Sequence, residues 1–271
     1  MITKVNGVEI AYNILNPDGS EGWIILLNGV MASYSSWNHL SNILSKKGYR
    51  VLLHDLRGQL LSEKPAGPYS WKDHVEDLKG LMDELKIDKA HLIGTSYGGE
   101  LAMCFVLDYP LLAETITVID SVSHIEPLLG SAVDAWIASA QQGDPAAFFR
   151  IIAPTIYGES FIKQNSEFLA ERARNMETLT PDYLEGQIEL YKTFKTLNIT
   201  NRLNEIKAPT LVVCGSEDRL KPPNYSGIIA EEISKSHYIL IPGSGHVAIF
   251  EKPEELAIII LGFLARQQQP G

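Results

Sequence analysis

Cysteine is almost missing from this chain. Cys104 and Cys214 are the whole supply, too few for a disulfide framework, and no Cys/His spacing resembles a zinc site. Long hydrophobic runs are missing too. The longest strongly apolar stretch, 257–265, is about half of the roughly 20 residues that a membrane helix needs. Met1-Ile2-Thr3-Lys4-Val5-Asn6-Gly7 contains no apolar signal core, so export is not expected and a soluble cytoplasmic protein is. Positive charge is in deficit: 23 Lys+Arg stand against 33 Asp+Glu, a formal net charge of −10. That balance argues against nucleic acid or an anionic membrane surface as the main partner, since both attract basic patches, and the short apolar runs argue against membrane insertion. There is no Gly-rich phosphate loop, dinucleotide fingerprint or metal-ligand set, so neither a cofactor nor a metal is expected. No internal repeat occurs, and the only biased segment is the tail 267–271.

What is there reads as an ordinary enzyme. The 271 residues are 45% hydrophobic, enough for one large α/β domain or two small domains, either with a sizeable core. Residues 8–14 alternate apolar and polar like a half-exposed strand, whereas 23–27 form a continuous apolar run ending at Asn28-Gly29. Continuous runs suit strands buried on both faces, as in parallel sheets covered by helices. The rhythm then alternates: helical spacing at 35–46, a strand at 49–53, a helix at 71–85, a strand at 90–94, a helix at 97–109 and a strand at 116–119. Strand signals resume at 210–214 and 238–241, with helices at 228–233 and 253–266. Such alternation predicts βαβ units and a mostly parallel central sheet flanked by helices. A crossover needs only a dozen or so residues, so the helical stretch 121–207 is expected to be an inserted subdomain, with 1–120 and 208–271 forming the core domain.

One motif carries chemistry. Gly94-Thr95-Ser96-Tyr97-Gly98 follows the apolar strand and opens a helix, the context a G-x-S-x-G nucleophile elbow requires. The serine of such a turn is strained, its neighbours two residues away must be small, and the helix aims its N–H groups at developing charge. A serine hydroxyl needs a base. Among seven histidines, His246 stands in Pro242-Gly243-Ser244-Gly245-His246, after the last strand and before the closing helix. Its loop falls at the carboxyl edge of the sheet, where Ser96 emerges. His39, His74, His91 and His237 fit solvated or hydrogen-bonded structural roles, while His54 and His124 remain candidates for lining the site. The base needs a carboxylate to fix its tautomer. Asp218, just after the strand at 210–214, leads, with Asp120 after the strand at 116–119 as its rival.

On these motifs the sequence resembles the α/β-hydrolase superfamily over residues 1–120 and 208–266. Asp55-Leu56-Arg57-Gly58 resembles its D-x-R-G segment, 209–218 its acid-bearing strand and turn, and Gly245-His246 with 251–255 its base loop and last helix. The insertion lies where that family carries its cap. The resemblance implies an oxyanion hole from the backbone N–H groups of Tyr97 and Val30. It departs at Asn28-Gly29-Val30-Met31, where relatives carry His-Gly, which changes how the loop is braced. It departs again at Leu60, where relatives carry glycine, so Leu60 is expected to line the pocket mouth beside Met31, with Leu61 joining it there or both serving packing alone. Serine at the elbow excludes the epoxide and halide chemistries of relatives that use aspartate.

The expected function is hydrolysis of carboxylic esters, including lactones such as acyl-homoserine lactones, through a Ser96 acyl-enzyme. Trp136 and Phe149 of the insertion are expected to contact the acyl side of a small-molecule substrate. Two other readings stand beside it. The Asn28-Gly29 and Met31-Ala32 pairs are also similar to acyl-transferring members that handle 3-hydroxyacyl thioesters, which allows an acyltransferase or thioesterase. A non-catalytic ligand-binding receptor on the same fold is the alternative of another class.

Overall fold

The computed structural model describes residues 1–267; the end of the expected core domain, 268–271, lies outside the described residues. Eight strands form one sheet: β1 (Ile2–Val5), β2 (Val8–Leu15), β3 (Trp23–Leu27), β4 (Arg50–His54), β5 (Ala90–Thr95), β6 (Ala113–Ile119), β7 (Thr210–Gly215) and β8 (Ser236–Ile241). Their order is β1-β2-β4-β3-β5-β6-β7-β8. The first two strands join antiparallel, and every pairing from β4 to β8 is parallel.

The continuous apolar runs have the expected cause. Successive residues of a strand face opposite sides, and here both sides are covered. Ile25, Leu27, Leu52 and Leu92 face one core, whereas Ile24, Leu26, Val51 and Ile93 face the other. Helices α1 (Asn38–Lys46) and α11 (Pro253–Gln267) cover the second face through Leu40, Leu44, Ile260 and Leu264. Helices α2 (Trp71–Glu84) and α3 (Tyr97–Asp108) cover the first. A short 3₁₀ turn at Tyr34–Trp37 precedes α1 where the helix was expected to begin. Strand β1, absent from the sequence reading, pairs with β2 across Asn6-Gly7, both at positive φ (48° and 84°).

Between β6 and β7 the described residues form five α-helices, α4 (Pro127–Ala140), α5 (Pro145–Ile156), α6 (Glu159–Gln164), α7 (Ser166–Met176) and α8 (Pro181–Phe194), followed by a 3₁₀ turn at Thr200–Glu205. Their Leu129, Val133, Phe148 and Phe194 belong to the same apolar cluster as the first sheet face, so this segment packs directly on the α3 side. Beyond β7, α9 (Pro223–Glu232) leads to β8, and α10 (Ala248–Glu251) follows it. No helix among the described residues is long and apolar enough to cross a membrane.

Candidate active site

Ser96 sits between β5 and α3 at φ 52°, ψ −121°, a strained conformation costing on the order of 1–3 kcal/mol for a non-glycine residue. The glycines around it explain how the turn closes. A Cβ on Gly94 would collide with the Gly98 carbonyl, and one on Gly98 would collide with Leu27 at the end of β3. The Ser96 N–H donates to the Ile119 carbonyl at 2.7 Å, tying the elbow to β6.

Three of the expected residues come together on the hydroxyl. His246 Nε2 lies 2.9 Å from Ser96 Oγ, and His246 Nδ1 lies 2.8 Å from Asp218 Oδ2. Asp218 and His246 are both buried. The other Asp218 oxygen accepts the backbone N–H groups of Leu220 (2.9 Å) and Lys221 (2.8 Å), which fixes the carboxylate. The His246 N–H donates to the Ile156 carbonyl at 2.8 Å. Glu251 accepts from Gly245 (2.9 Å) and Gly158 (3.2 Å), pinning the base loop against the end of α5. Burial holds the Glu251 carboxyl above its usual range.

The rival acid has another task. Asp120, itself at φ 50°, accepts from Gly215 N at 2.8 Å and from Ala248 N at 3.4 Å. It braces β7 and α10 from beneath and makes no bond to His246 among the described residues. Burial first, and the neighbouring Asp218 charge second, push its carboxyl well above the usual range. Asp120, Cys214 and Asp218 offer ligand atoms within 4.8 Å of one another. Both carboxylates are already committed to the hydrogen bonds above, and burial pushes the Cys214 thiol up, so this cluster is a hydrogen-bonded brace.

Asn28 answers the question raised by the missing histidine. Its Nδ2 lies 2.9 Å from the His54 carbonyl, 3.0 Å from Gln59 Oε1 and 3.2 Å from Asp55 Oδ1, and its Oδ1 accepts from Trp37 Nε1 at 2.9 Å. Gln59, wholly buried, donates to the Gly29 carbonyl at 2.7 Å, and Gln187 of α8 accepts the Met31 N–H at 2.8 Å. The loop is therefore held by amide side chains. Val30 and Tyr97 both line the pocket. Tyr97, as the first residue of α3, has no carbonyl one turn back to take its N–H.

The pocket over Ser96 is closed from the other side by α4, α5, α7 and α8. Met31, Trp136 and Phe149 line it as expected. Leu60 does not: it is a partly buried residue packed on the core, and Leu61 is 54% exposed. Asp55 Oδ2 holds the Leu61 N–H at 3.0 Å, and Gln59 takes the interior position, so the loop turns both leucines away from the mouth. His54 and His124 are also outside the lining. His54 is buried beneath the loop, with its pKa lowered to about 4 by desolvation. His124 lies against Glu126 and Thr200. His91 bonds Thr115, His39 pairs with exposed Glu254, and His237 meets the Phe263 ring. His74 departs from a solvated or bonded role. It is packed among Tyr69, Trp71 and Tyr97, neither ring nitrogen has a partner, and desolvation lowers its pKa to about 3.

Three residues at the site were not anticipated. Lys221 Nζ lies 3.0 Å from Ser96 Oγ and 2.7 Å from Glu100 Oε1, with both charged side chains almost wholly buried. Glu100 carries a sequence signal, being the one charge in the apolar helical run Tyr97 to Val106. Lys221, in Asp218-Arg219-Leu220-Lys221-Pro222, carries none. Arg172 of α7 also lines the pocket, its guanidinium 4.8 Å from the Phe250 ring and without a carboxylate partner among the described residues.

The sequence profile of the alpha/beta hydrolase fold family matches residues 22–253. MGS-M2, an alpha/beta hydrolase enzyme from a Medee basin deep-sea metagenome library, has a TM-score of 0.93 and 29% identity, covering 100% of this chain and 99% of that one. The enol-lactonase from Burkholderia xenovorans LB400 has a TM-score of 0.89 and 25% identity, covering 98% and 100%. The proline iminopeptidase of Lactobacillus helveticus is 24% identical over 284 residues, 97% of this chain and 96% of that protein.

Proposed function

The chain belongs to the alpha/beta hydrolase fold family, and from that premise we propose that it is a serine hydrolase cleaving small carboxylic esters and lactones through a Ser96 acyl-enzyme. The observation carrying this reading is the unbroken hydrogen-bond path from Ser96 Oγ through His246 to Asp218 at the floor of a pocket. Ser96 attacks the substrate carbonyl as His246 Nε2 takes its proton, and Asp218 holds the Nδ1–H and stabilises the imidazolium. The backbone N–H groups of Val30 and Tyr97 take the oxyanion. His246 then gives the proton to the leaving alcohol. Water, deprotonated by His246, attacks the acyl-enzyme, and the same proton returns to Ser96.

Residues 121–207 act in this reading as the cap that shapes the acyl pocket, over a core of 1–120 and 208–271. The pocket's charge supports an ester over a peptide with a free cationic N-terminus. Such a terminus would meet Arg172 and Lys221, and the described lining contains no carboxylate. A lactone gains further support from the enol-lactonase likeness.

The test is a series of aryl esters, lactones and acyl thioesters, with products identified in water and with an added alcohol. Release of free acid from esters or lactones, lost in Ser96→Ala, is the expected result. Preferential acyl transfer to the alcohol, or thioester cleavage alone, would move the function to the acyl-transfer reading. Saturable binding without turnover of any substrate would make the chain a receptor.

A further inference from the structure

We propose that Lys221 is a further catalytic residue whose ammonium group speeds deacylation by stabilising the oxygen of Ser96 as it leaves. This rests on the acyl-enzyme reading above.

An ammonium has three N–H donors, and the surroundings of Lys221 Nζ account for all of them. One faces Glu100 Oε1 at 2.7 Å, one faces Ser96 Oγ at 3.0 Å, and the Phe194 ring centroid lies 4.5 Å away. The Lys221 and Glu100 side chains are 3% and 0% exposed. Glu100 is itself fixed, since the same oxygen accepts the Val122 N–H at 3.0 Å. Lys221 is fixed from its backbone, whose N–H donates to Asp218. An ion pair this dry is costly to build, and a buried pair serving stability alone has no reason to spend a donor on the nucleophile.

Ser96 Oγ has one hydrogen and two lone pairs. His246 Nε2 accepts the hydrogen, which leaves a lone pair for Lys221 and excludes Lys221 as a competing base. Once Ser96 is acylated, its oxygen bridges to the acyl carbon and becomes a weak acceptor, so the contact with Lys221 weakens. In deacylation a water molecule adds to the acyl carbon as His246 takes its proton. The acyl carbon–Oγ bond then breaks, its electron pair passes to Oγ, and the His246 proton follows. Lys221 keeps all its protons throughout. Its hydrogen bond is stronger to the departing, electron-rich oxygen than to the ester oxygen it came from, and only such a difference accelerates a step.

Rapid mixing with a 4-nitrophenyl ester separates the two steps, and intact mass identifies the adduct. The double variant Glu100→Gln with Lys221→Met removes both charges, and Lys221→Gln keeps a neutral donor with Glu100 in place. A hydrogen bond to a charged donor corresponds to about a ten- to hundredfold change in rate. The double variant should release about one equivalent of nitrophenol in a burst, accumulate a Ser96 adduct, and deacylate slower by that factor, with acylation changed only a few-fold. Lys221→Gln should fall between the two and answers the question alone if the double variant fails to fold. Acylation and deacylation falling in step, or deacylation unchanged in a folded variant, would overturn the role of Lys221. Turnover without any Ser96 adduct, in wild type and both variants, would instead remove the acyl-enzyme itself.

Discussion

At the scale of single residues, two aspartates on neighbouring strand ends divide one region between them. Asp218 is the one that reaches His246, and Asp120 holds Gly215 and Ala248 from below. In the well-studied serine triad, loss of the acid's charge costs on the order of 10⁴ in turnover. Asp218→Asn is expected to approach that loss with little change in thermal unfolding. Asp120→Asn leaves one backbone N–H facing an amide donor, so it should cost about 1–3 kcal/mol of stability and far less activity. Paired kinetic and unfolding measurements on both variants check this, and the reverse ranking would move the acid to Asp120. The pairing of Asp218 with His246 was legible because Asp218 follows a strand at a Gly-x-x-Asp turn. Lys221 was not, because a lysine in sequence gives no sign of burial until its partner Glu100, on another element, is known.

At the scale of elements, the helices over the site are both wall and core. Trp136 and Phe149 line the pocket, yet they are 6% and 3% exposed. Each methylene fully buried on this wall is worth about 0.8 kcal/mol, roughly fourfold in specificity. An aryl-ester series should therefore improve with acyl length and then decline, with the optimum shifted in Trp136→Ala and Phe149→Ala. Phe149→Ala should also cost about 3–5 kcal/mol of stability, the usual loss for a buried aromatic. A chain-length profile identical in wild type and both variants would show that selectivity lies with Val30 and Met31 on the sheet side. The elements themselves were readable wherever both faces of a strand are covered, since burial there demands an unbroken apolar run. Strand β1 escaped because one short edge strand leaves only the Asn6-Gly7 hairpin turn as its signal. Leu60 was misplaced because a single glycine-to-leucine departure says nothing about which way a loop turns. The Asp55 carboxylate and the buried Gln59 amide, bonded to Asn28 and Gly29 some thirty residues away, decide that.

At the scale of the whole molecule, charge is arranged against burial in two ways. His54 and His74 are buried, with pKa values lowered to about 4 and about 3. The unfolded chain binds their protons below about pH 6.5, whereas the folded protein resists until much lower pH. Stability is therefore lost as pH falls through that window, by roughly 3 kcal/mol for His54 and somewhat more for His74. The raised carboxyls of Asp120 and Glu251 act in the opposite sense, because the folded state holds their protons more tightly. His74→Phe keeps a ring among Tyr69, Trp71 and Tyr97 and leaves those carboxyls untouched. Denaturant unfolding between pH 7 and 4 should show a shallower loss in the variant; identical slopes would mean that His74 is protonated within the fold. The second arrangement is the candidate active site, where β5, β7 and the loop after β8 bring His246 and Lys221 to the Ser96 oxygen, with Asp218 behind His246. Labelling with an organophosphonate, read by intact mass and peptide mapping, interrogates that oxygen directly. One adduct per chain is expected, on Ser96, with loss of ester hydrolysis in proportion to labelling and no adduct in Ser96→Ala. Labelling elsewhere with Ser96 unmodified, or full activity in Ser96→Ala, would contradict Ser96 as the nucleophile.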